Sequence, residues 1–252
     1  MARGDKCQTR EISWVDETFT VAQRSRAVTV VRSEASSRGD PQARGMTVID
    51  AGCYDGRLYH YLEQLRLFPR YVGIDARQDY LETAARKIGS GRARFVARDL
   101  SADYGGARDD WMCGDVVICL EVLEHMDRDR AYVALMNLFR LARPEGLVVV
   151  GTPVNYADRA FHSVEREGSL GHHNFLVHEE VVEFTTPLGD LVAESSGPGY
   201  SLKSSYRIPS DLPEPWRTMR VRLGPAFRPI YLSCMSEPNG GYFYVWRRRE
   251  YD

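Results

Sequence analysis

Residues 48–56 read VIDAGCYDG, and this stretch decides the fold. Two apolar residues run into Asp50. Gly52 and Gly56 follow, with Tyr54 between them where a third glycine is expected. Glycine permits backbone conformations and a close ligand approach that a Cβ would block. Because open α/β sheets bind ligands where a strand turns into a helix, the stretch predicts a strand, a tight turn and a ligand-binding crevice.

Apolar runs typical of strands alternate with helical patterns from residue 47 onward, which indicates a parallel sheet flanked by helices. A helical pattern over 80–88 follows Asp79, which is predicted to form a capping box with Glu82. An extra helix is expected over 15–35, ahead of the sheet. A Pro-rich insertion over 209–240 is expected to determine substrate specificity. Strands are predicted at 47–50, 71–75, 93–99, 115–121, 146–153, 200–208 and 241–248, and the other helices at 57–68 and 130–142.

Acidic residues close four of the predicted strands, namely Asp50, Asp75, Asp99 and Glu121. Because parallel strands end at one edge of a sheet, these carboxylates would cluster, which is costly unless a ligand uses them. Asp75 lies 19 residues after Gly56, a spacing at which a carboxylate can accept two hydrogen bonds from a ribose diol. Asp99 is suited to the exocyclic amine of a base. The pattern predicts a nucleoside ligand, and it disfavours a dinucleotide because the glycines lack the G-x-G-x-x-G spacing.

The chain resembles the class I S-adenosylmethionine-dependent methyltransferases over roughly residues 46–190. The family's first motif, an acid followed by G-x-G-x-G, matches residues 50–56, and its ribose-binding and adenine-contacting acids match Asp75 and Asp99. ICLEVLEHM (118–126) and RPEGLVVVGTPVNY (143–156) resemble its fourth- and fifth-strand motifs. The resemblance implies an α/β fold: a Rossmann-like, seven-stranded, mostly parallel doubly wound sheet with an antiparallel last strand and a C-terminal insertion. It implies S-adenosylmethionine as cofactor, bound by Asp50, Gly52, Cys53, Tyr54, Gly56, Asp75, Ala76, Asp99, Leu100 and Glu121.

Tyr54 departs from the family's first motif, because it replaces the middle glycine. Its ring is expected either to turn away from the carboxypropyl chain of the cofactor or to pack over it. The departure also leaves open a protein that binds the cofactor without catalysing methyl transfer.

Histidines are the candidate bases, because the acceptor must be aligned with the S–CH₃ bond and must lose a proton. His125 can share one face of a helical turn with Glu121 and Glu124. His172 and His173 follow the fifth strand. A further resemblance, to the metal site of small-RNA 2′-O-methyltransferases, covers Glu121, Glu124, His125 and His173, and ubiquinone-pathway O-methyltransferases carry a partly similar acidic patch. Such ligands suit Mg²⁺ or Mn²⁺. A metal site, a metal-free histidine base and a positioning role all stay open.

Three functions follow from these residues. The first is O-methylation of a small-molecule acceptor, with methylation of an amine as a variant and the segment 209–240 shaping the pocket. The second is metal-dependent 2′-O-methylation of RNA. The charge distribution supports RNA as a partner. Residues 200–252 hold nine Lys/Arg and five Asp/Glu, a net charge of +4, whereas the remainder carries −6. The third is a catalytically silent S-adenosylmethionine-binding protein.

The composition limits which cellular locations and binding partners are expected. The net charge of −2 gives no overall reason to expect nucleic acid. The five cysteines form no C-x-x-C pair, which argues against a disulfide framework. No apolar run approaches the roughly 20 residues of a membrane span, and no signal peptide is apparent. We therefore predict a cytoplasmic protein without a membrane partner, with a helical extension (1–45) ahead of a methyltransferase domain (46–252). The oligomeric state stays open.

Overall fold

The computed structural model of the protein describes residues 14–89, 91–102, 104, 112–153, 176, 178–196 and 241–250. Within these residues the strands form one sheet of seven. They are β1 (Thr47–Ala51), β2 (Arg70–Asp75), β3 (Ala93–Ala97), β4 (Gly114–Leu120), β5 (Ala142–Pro153), β6 (Gly189–Ser196) and β7 (Gly241–Arg248).

The order of the strands in the sheet is β3-β2-β1-β4-β5-β7-β6. β1 to β5 pair in parallel, and β7 runs antiparallel to both of its neighbours. The order reverses between β1 and β4, which is the place where open α/β sheets bind ligands. The structure thus confirms the predicted Rossmann-like, mostly parallel sheet with an antiparallel last strand.

Helices cover both faces of the sheet. They are α1 (Trp14–Ser37), α2 (Arg57–Gln64), α3 (Gln78–Ile88), α4 (Arg128–Leu141) and α5 (His178–Thr185), and a 3₁₀ turn spans Leu123–His125. One core lies under α1, α2 and α3, and a second lies under α4 and α5. Side chains alternate along the inner strands between these two cores, as burial on both faces requires. In the described part of the chain, no helix has the length and apolarity to cross a membrane.

Several predicted elements differ from the structure. α3 begins at Gln78, and the Asp79 carboxylate pairs with the Arg77 guanidinium, so the predicted capping box is wrong. β6 occupies 189–196, a stretch for which no strand was predicted, because its sequence, GDLVAESS, holds few β-branched residues. The strand predicted at 200–208 and the insertion at 209–240 lie outside the described residues. The boundaries at 1–45 and 46–252 stay predictions.

An ion-pair network joins α1 to the sheet at its amino edge. Asp115 is only 8% exposed. Its Oδ2 accepts a hydrogen bond from the Thr47 amide (2.6 Å), and Arg38 donates to Oδ1. Arg143 Nε also lies 2.6 Å from Oδ1, at ion-pair distance but outside hydrogen-bond geometry. Glu34 in α1 pairs with Arg38 in turn. One buried carboxylate therefore balances two guanidiniums and holds the start of β1.

Candidate active site at the carboxyl edge of the sheet

A cavity of about 460 Å³ opens at the carboxyl ends of β1, β2 and β4. This volume lies within the range of small-molecule sites, roughly 300–1,000 Å³. Nine of the ten residues predicted to bind the cofactor line it, so the fold brings together positions from four strand ends. They are Asp50, Gly52, Cys53, Tyr54, Asp75, Ala76, Asp99, Leu100 and Glu121. Cofactor binding by these residues stays a prediction.

Gly56 is the predicted cofactor residue that does not line the cavity. It caps α2 with a φ of 79°, and a Cβ at this position would lie 2.7 Å from Ile88 Cδ1. Gly52 has a φ of 82°, and its Cβ would lie 2.2 Å from Val122 Cγ2. Both glycines are therefore required by packing inside the protein.

Tyr54 adopts a backbone conformation that glycine tolerates better than other residues. Its φ is 50°, a left-handed conformation that costs an L-residue about 1–2 kcal/mol. Its amide donates to Asp75 Oδ2 at 3.0 Å, which offsets part of that cost. The ring is 45% exposed and packs edge-on against Tyr80, with 4.3 Å between centroids. Tyr54 thus lines the cavity with a partly exposed ring that packs on Tyr80.

Asp75 and Asp99 are both held in place by neighbouring groups. Asp75 Oδ1 accepts the Arg77 amide at 2.9 Å, so each of its oxygens receives one backbone N–H and keeps a lone pair. Asp99 Oδ1 accepts the amide and hydroxyl of Ser101, and Oδ2 accepts Arg130 at 2.8 Å. Although burial acts in the opposite direction, these hydrogen bonds and the charge of Arg130 lower the pKa of Asp99. Both side chains can still accept hydrogen bonds from a ligand.

Asp50 lies deeper than the other acids. Burial raises its pKa to about 6, while a hydrogen bond from Tyr71 and the charge of Arg24 act to lower it. Arg24 comes from α1 and lines the same cavity as Arg57. Burial, together with repulsion from Arg57, lowers the pKa of Arg24. Two guanidiniums that repel each other in a partly buried cavity form a site suited to an anionic ligand group.

The candidate bases have separate positions. His125 and Glu121 line the cavity at the end of β4, and Glu121 adopts a φ of 57°. Strained backbone of this kind clusters at functional sites. His172 and His173 lie outside the described residues. His178, which follows them, does not line this cavity: its Nδ1 is 3.0 Å from the Tyr244 hydroxyl, on the α5 side of the sheet.

Glu124 turns inward, away from the cavity. It is 1% exposed, and its Oε2 lies 3.5 Å from the Thr152 hydroxyl. Burial raises the pKa of Glu124 to about 8, so the side chain is largely protonated at neutral pH. Among the described residues, no group of three His, Cys, Asp or Glu side chains could hold a metal ion. The metal site predicted from Glu121, Glu124, His125 and His173 thus gains no support from the described part of the chain.

Comparisons with known proteins agree with this geometry. Residues 49–148, which carry β1 to β4 and most of the cavity, match the family described as "Methyltransferase domain". This stretch of the chain is a class I S-adenosylmethionine-dependent methyltransferase domain. The chain's fold is shared with magnesium protoporphyrin IX methyltransferase of Synechocystis PCC 6803, solved with bound S-adenosylmethionine: the TM-score is 0.56 and the identity 16%, over 96% of this chain and 86% of that one.

Two kinds of curated relative align with the methyltransferase. Ubiquinone biosynthesis O-methyltransferase of Rickettsia typhi is 25% identical over 178 residues, which cover 66% of this chain and 69% of the relative. Small RNA 2′-O-methyltransferase of Mus musculus is 30% identical over 114 residues, 42% of this chain and 29% of the relative. The chain therefore spans less than a third of the RNA-modifying relative.

Several residues that line the methyltransferase's cavity are not among the predicted site residues. The largest group is cationic and aromatic, and it consists of Arg24, Arg57, Arg77, Tyr80 and Arg130. Arg57 directly follows Gly56 at the first position of α2, where the turn itself marks it as a candidate. No local pattern points to Arg24 or Arg130, because each reaches the cavity from a helix whose placement depends on packing.

Glu124→Gln is expected to make the stability of the methyltransferase less sensitive to alkaline pH. The pKa of Glu124 is about 8 in the fold and ordinarily 4.5. Between these values the folded state holds a proton that the unfolded chain has released, so stability falls as pH rises towards 8. Between about pH 5 and about pH 9, we expect the free energy of unfolding to fall by about 2–4 kcal/mol more in the unmodified protein than in Glu124→Gln. Urea unfolding at the two pH values measures this difference.

The control is Glu183→Gln, at an exposed position of α5. Its free energy of unfolding should match that of the unmodified protein at both pH values. If Glu124→Gln lost as much stability as the unmodified protein, Glu124 would have to be ionised in the fold at neutral pH.

Proposed function

We propose that this methyltransferase transfers the methyl group of S-adenosylmethionine to a hydroxyl of a small-molecule acceptor. The observation that carries the proposal is the position of His125, which lines the cavity beside Glu121 at the end of β4. A hydroxyl is a weak nucleophile until its proton is removed, whereas a neutral amine attacks without such help. An imidazole at this place is therefore most useful for a hydroxyl acceptor.

The residues of the cavity fit the cofactor. Asp75 keeps lone pairs for a ribose diol, and Asp99 with Leu100 suits an adenine ring and its amine. Arg24 and Arg57 suit the carboxylate of the methionine part. When bound, S-adenosylmethionine supplies a methyl group activated by its sulfonium. The part of this chain is then to bind the cofactor, to orient the acceptor and to hold the acceptor's proton at the His125 imidazole.

His125→Ala is expected to lower kcat by about a hundredfold while the affinity for S-adenosylhomocysteine is unchanged, because general-base groups contribute at least that much. Methyl transfer from labelled cofactor and calorimetry measure the two quantities. His60→Ala, at a partly exposed position of α2, is the control and should retain full turnover. If His125→Ala kept its turnover, His125 could not be the base.

A second candidate is 2′-O-methylation of RNA with a divalent metal. It is supported by the similarity to the small RNA 2′-O-methyltransferase and by the order Glu121, Glu124, His125. Labelled cofactor would be incubated separately with a metabolite fraction and an RNA fraction, each with and without a chelator. We expect label in the metabolite fraction, whatever the chelator. Chelator-sensitive label in RNA would favour the second candidate, and cofactor binding with no transfer at all would indicate a silent protein.

A further inference from the structure

Gln23 in α1 buries a carboxamide at the carboxyl edge of the sheet. The residue is 1% exposed, and within the described part of the chain neither Oε1 nor Nε2 has a hydrogen-bond partner. Such an amide has lost its hydrogen bonds to water without replacing them, which is costly. A leucine of similar size would fill this space without that cost. The amide therefore fits a position where a ligand completes its hydrogen bonds.

A glycine makes room for this carboxamide. A Cβ built on Gly151, near the carboxyl end of β5, would lie 2.6 Å from Gln23 Oε1 and 2.8 Å from Leu120 Cδ2. Either neighbour would have to shift if residue 151 carried a side chain. Gly151 therefore leaves the space that the buried amide of Gln23 occupies.

Gln23 does not itself line the cofactor cavity, but residues around its carboxamide do. Leu120, which touches the same place, lines that cavity, and so does Arg24, the residue after Gln23. The Glu121 amide donates to the Gly151 carbonyl at 2.9 Å, which joins this strand end to the cavity wall. The ribose and adenine acids follow β2 and β3, on the other side of β1. Gln23 therefore lies on the β4–β5 side of the sheet. The nucleoside would not occupy this side, so the methyl acceptor can bind there.

We propose that the Gln23 carboxamide binds the methyl acceptor. The acceptor would carry, near its methylated hydroxyl, an uncharged group that both donates and accepts a hydrogen bond, such as a second hydroxyl or an amide. A carboxamide offers one accepting oxygen and two donated hydrogens, which match such a group. A charged group is disfavoured here, because Gln23 brings no opposite charge to a buried place. This proposal rests on the proposed O-methylation and names the acceptor's chemical class.

The test compares Gln23→Leu with the unmodified chain and with Gln64→Leu, a control at an exposed position of α2. Each protein is examined by thermal unfolding, by calorimetry with S-adenosylhomocysteine, and by methyl transfer from labelled cofactor to a metabolite fraction. We expect Gln23→Leu to keep its unfolding midpoint and its affinity for S-adenosylhomocysteine. Its methyl transfer should be about tenfold slower at low acceptor concentration, and less so at high concentration, because acceptor binding is weakened.

Gly151→Ala is the second variant, because its methyl group crowds the carboxamide without removing it. The same loss of methyl transfer is expected, so the proposal can be tested even if Gln23→Leu folds poorly. A folded Gln23→Leu protein that transfers methyl groups at the unmodified rate would overturn the role of Gln23 and leave the proposed function intact. If the unmodified chain labels no metabolite, the proposed function fails and this inference fails with it.

Discussion

Asp75→Ala is expected to weaken the binding of S-adenosylhomocysteine by about a thousandfold, because it removes two hydrogen bonds from a charged carboxylate, each worth roughly 1.5–3 kcal/mol. Asp75 lines the cavity at the end of β2, and its oxygens also accept the amides of Tyr54 and Arg77. The alanine variant therefore loses both the proposed contact with the ribose and the acceptor that holds the Tyr54 turn. Isothermal titration calorimetry with S-adenosylhomocysteine measures the effect.

Two further variants separate these causes. Asp79→Ala, near the start of α3, removes an exposed carboxylate that pairs with Arg77 and should leave the affinity unchanged. Asp75→Asn keeps the shape of the side chain but replaces one accepting oxygen with a donor, so it should also bind poorly. Unchanged affinity in Asp75→Ala would mean that the nucleoside lies elsewhere.

Asp115→Ala is expected to destabilise the fold by about 3–5 kcal/mol, the usual cost of removing one partner of a buried ion pair. The variant leaves the Arg38 and Arg143 guanidiniums facing each other without their shared carboxylate, and it removes the acceptor of the Thr47 amide at the start of β1. In a chain of this size the thermal midpoint should fall by on the order of 10 °C. Thermal unfolding followed by circular dichroism measures it.

The matched control is Asp190→Ala, in β6, where an exposed aspartate pairs with Arg249. An exposed pair of this kind contributes about 1 kcal/mol or less. A similar midpoint for the two variants would contradict the claim that the amino-edge network anchors α1. Because Asp115 lies at the amino edge and the cavity at the carboxyl edge, Asp115→Ala should keep its affinity for S-adenosylhomocysteine where it remains folded.

Much of the fold could be predicted from local pattern. The runs at 47–50, 71–75 and 115–121 are apolar because their strands are buried on both faces, and each ends near an acid at the carboxyl edge. Burial and strand direction act over a few neighbouring residues, so they leave a signal in the sequence. β6 left a weak signal, because it lies at the edge of the sheet and its residues 191–194 are exposed.

The acidic side of the cavity was determined by the sequence itself: Asp50, Asp75 and Asp99 follow strands that a short pattern predicts, and parallel pairing brings their ends together. Only the tertiary structure decided that Glu124 turns into the core, that the Tyr54 ring packs on Tyr80, and that α1 carries Arg24 and Gln23 to the sheet. These outcomes depend on how helices pack over distances of many residues. A local sequence pattern indicates which side chains are buried, but it does not indicate which distant residues they contact.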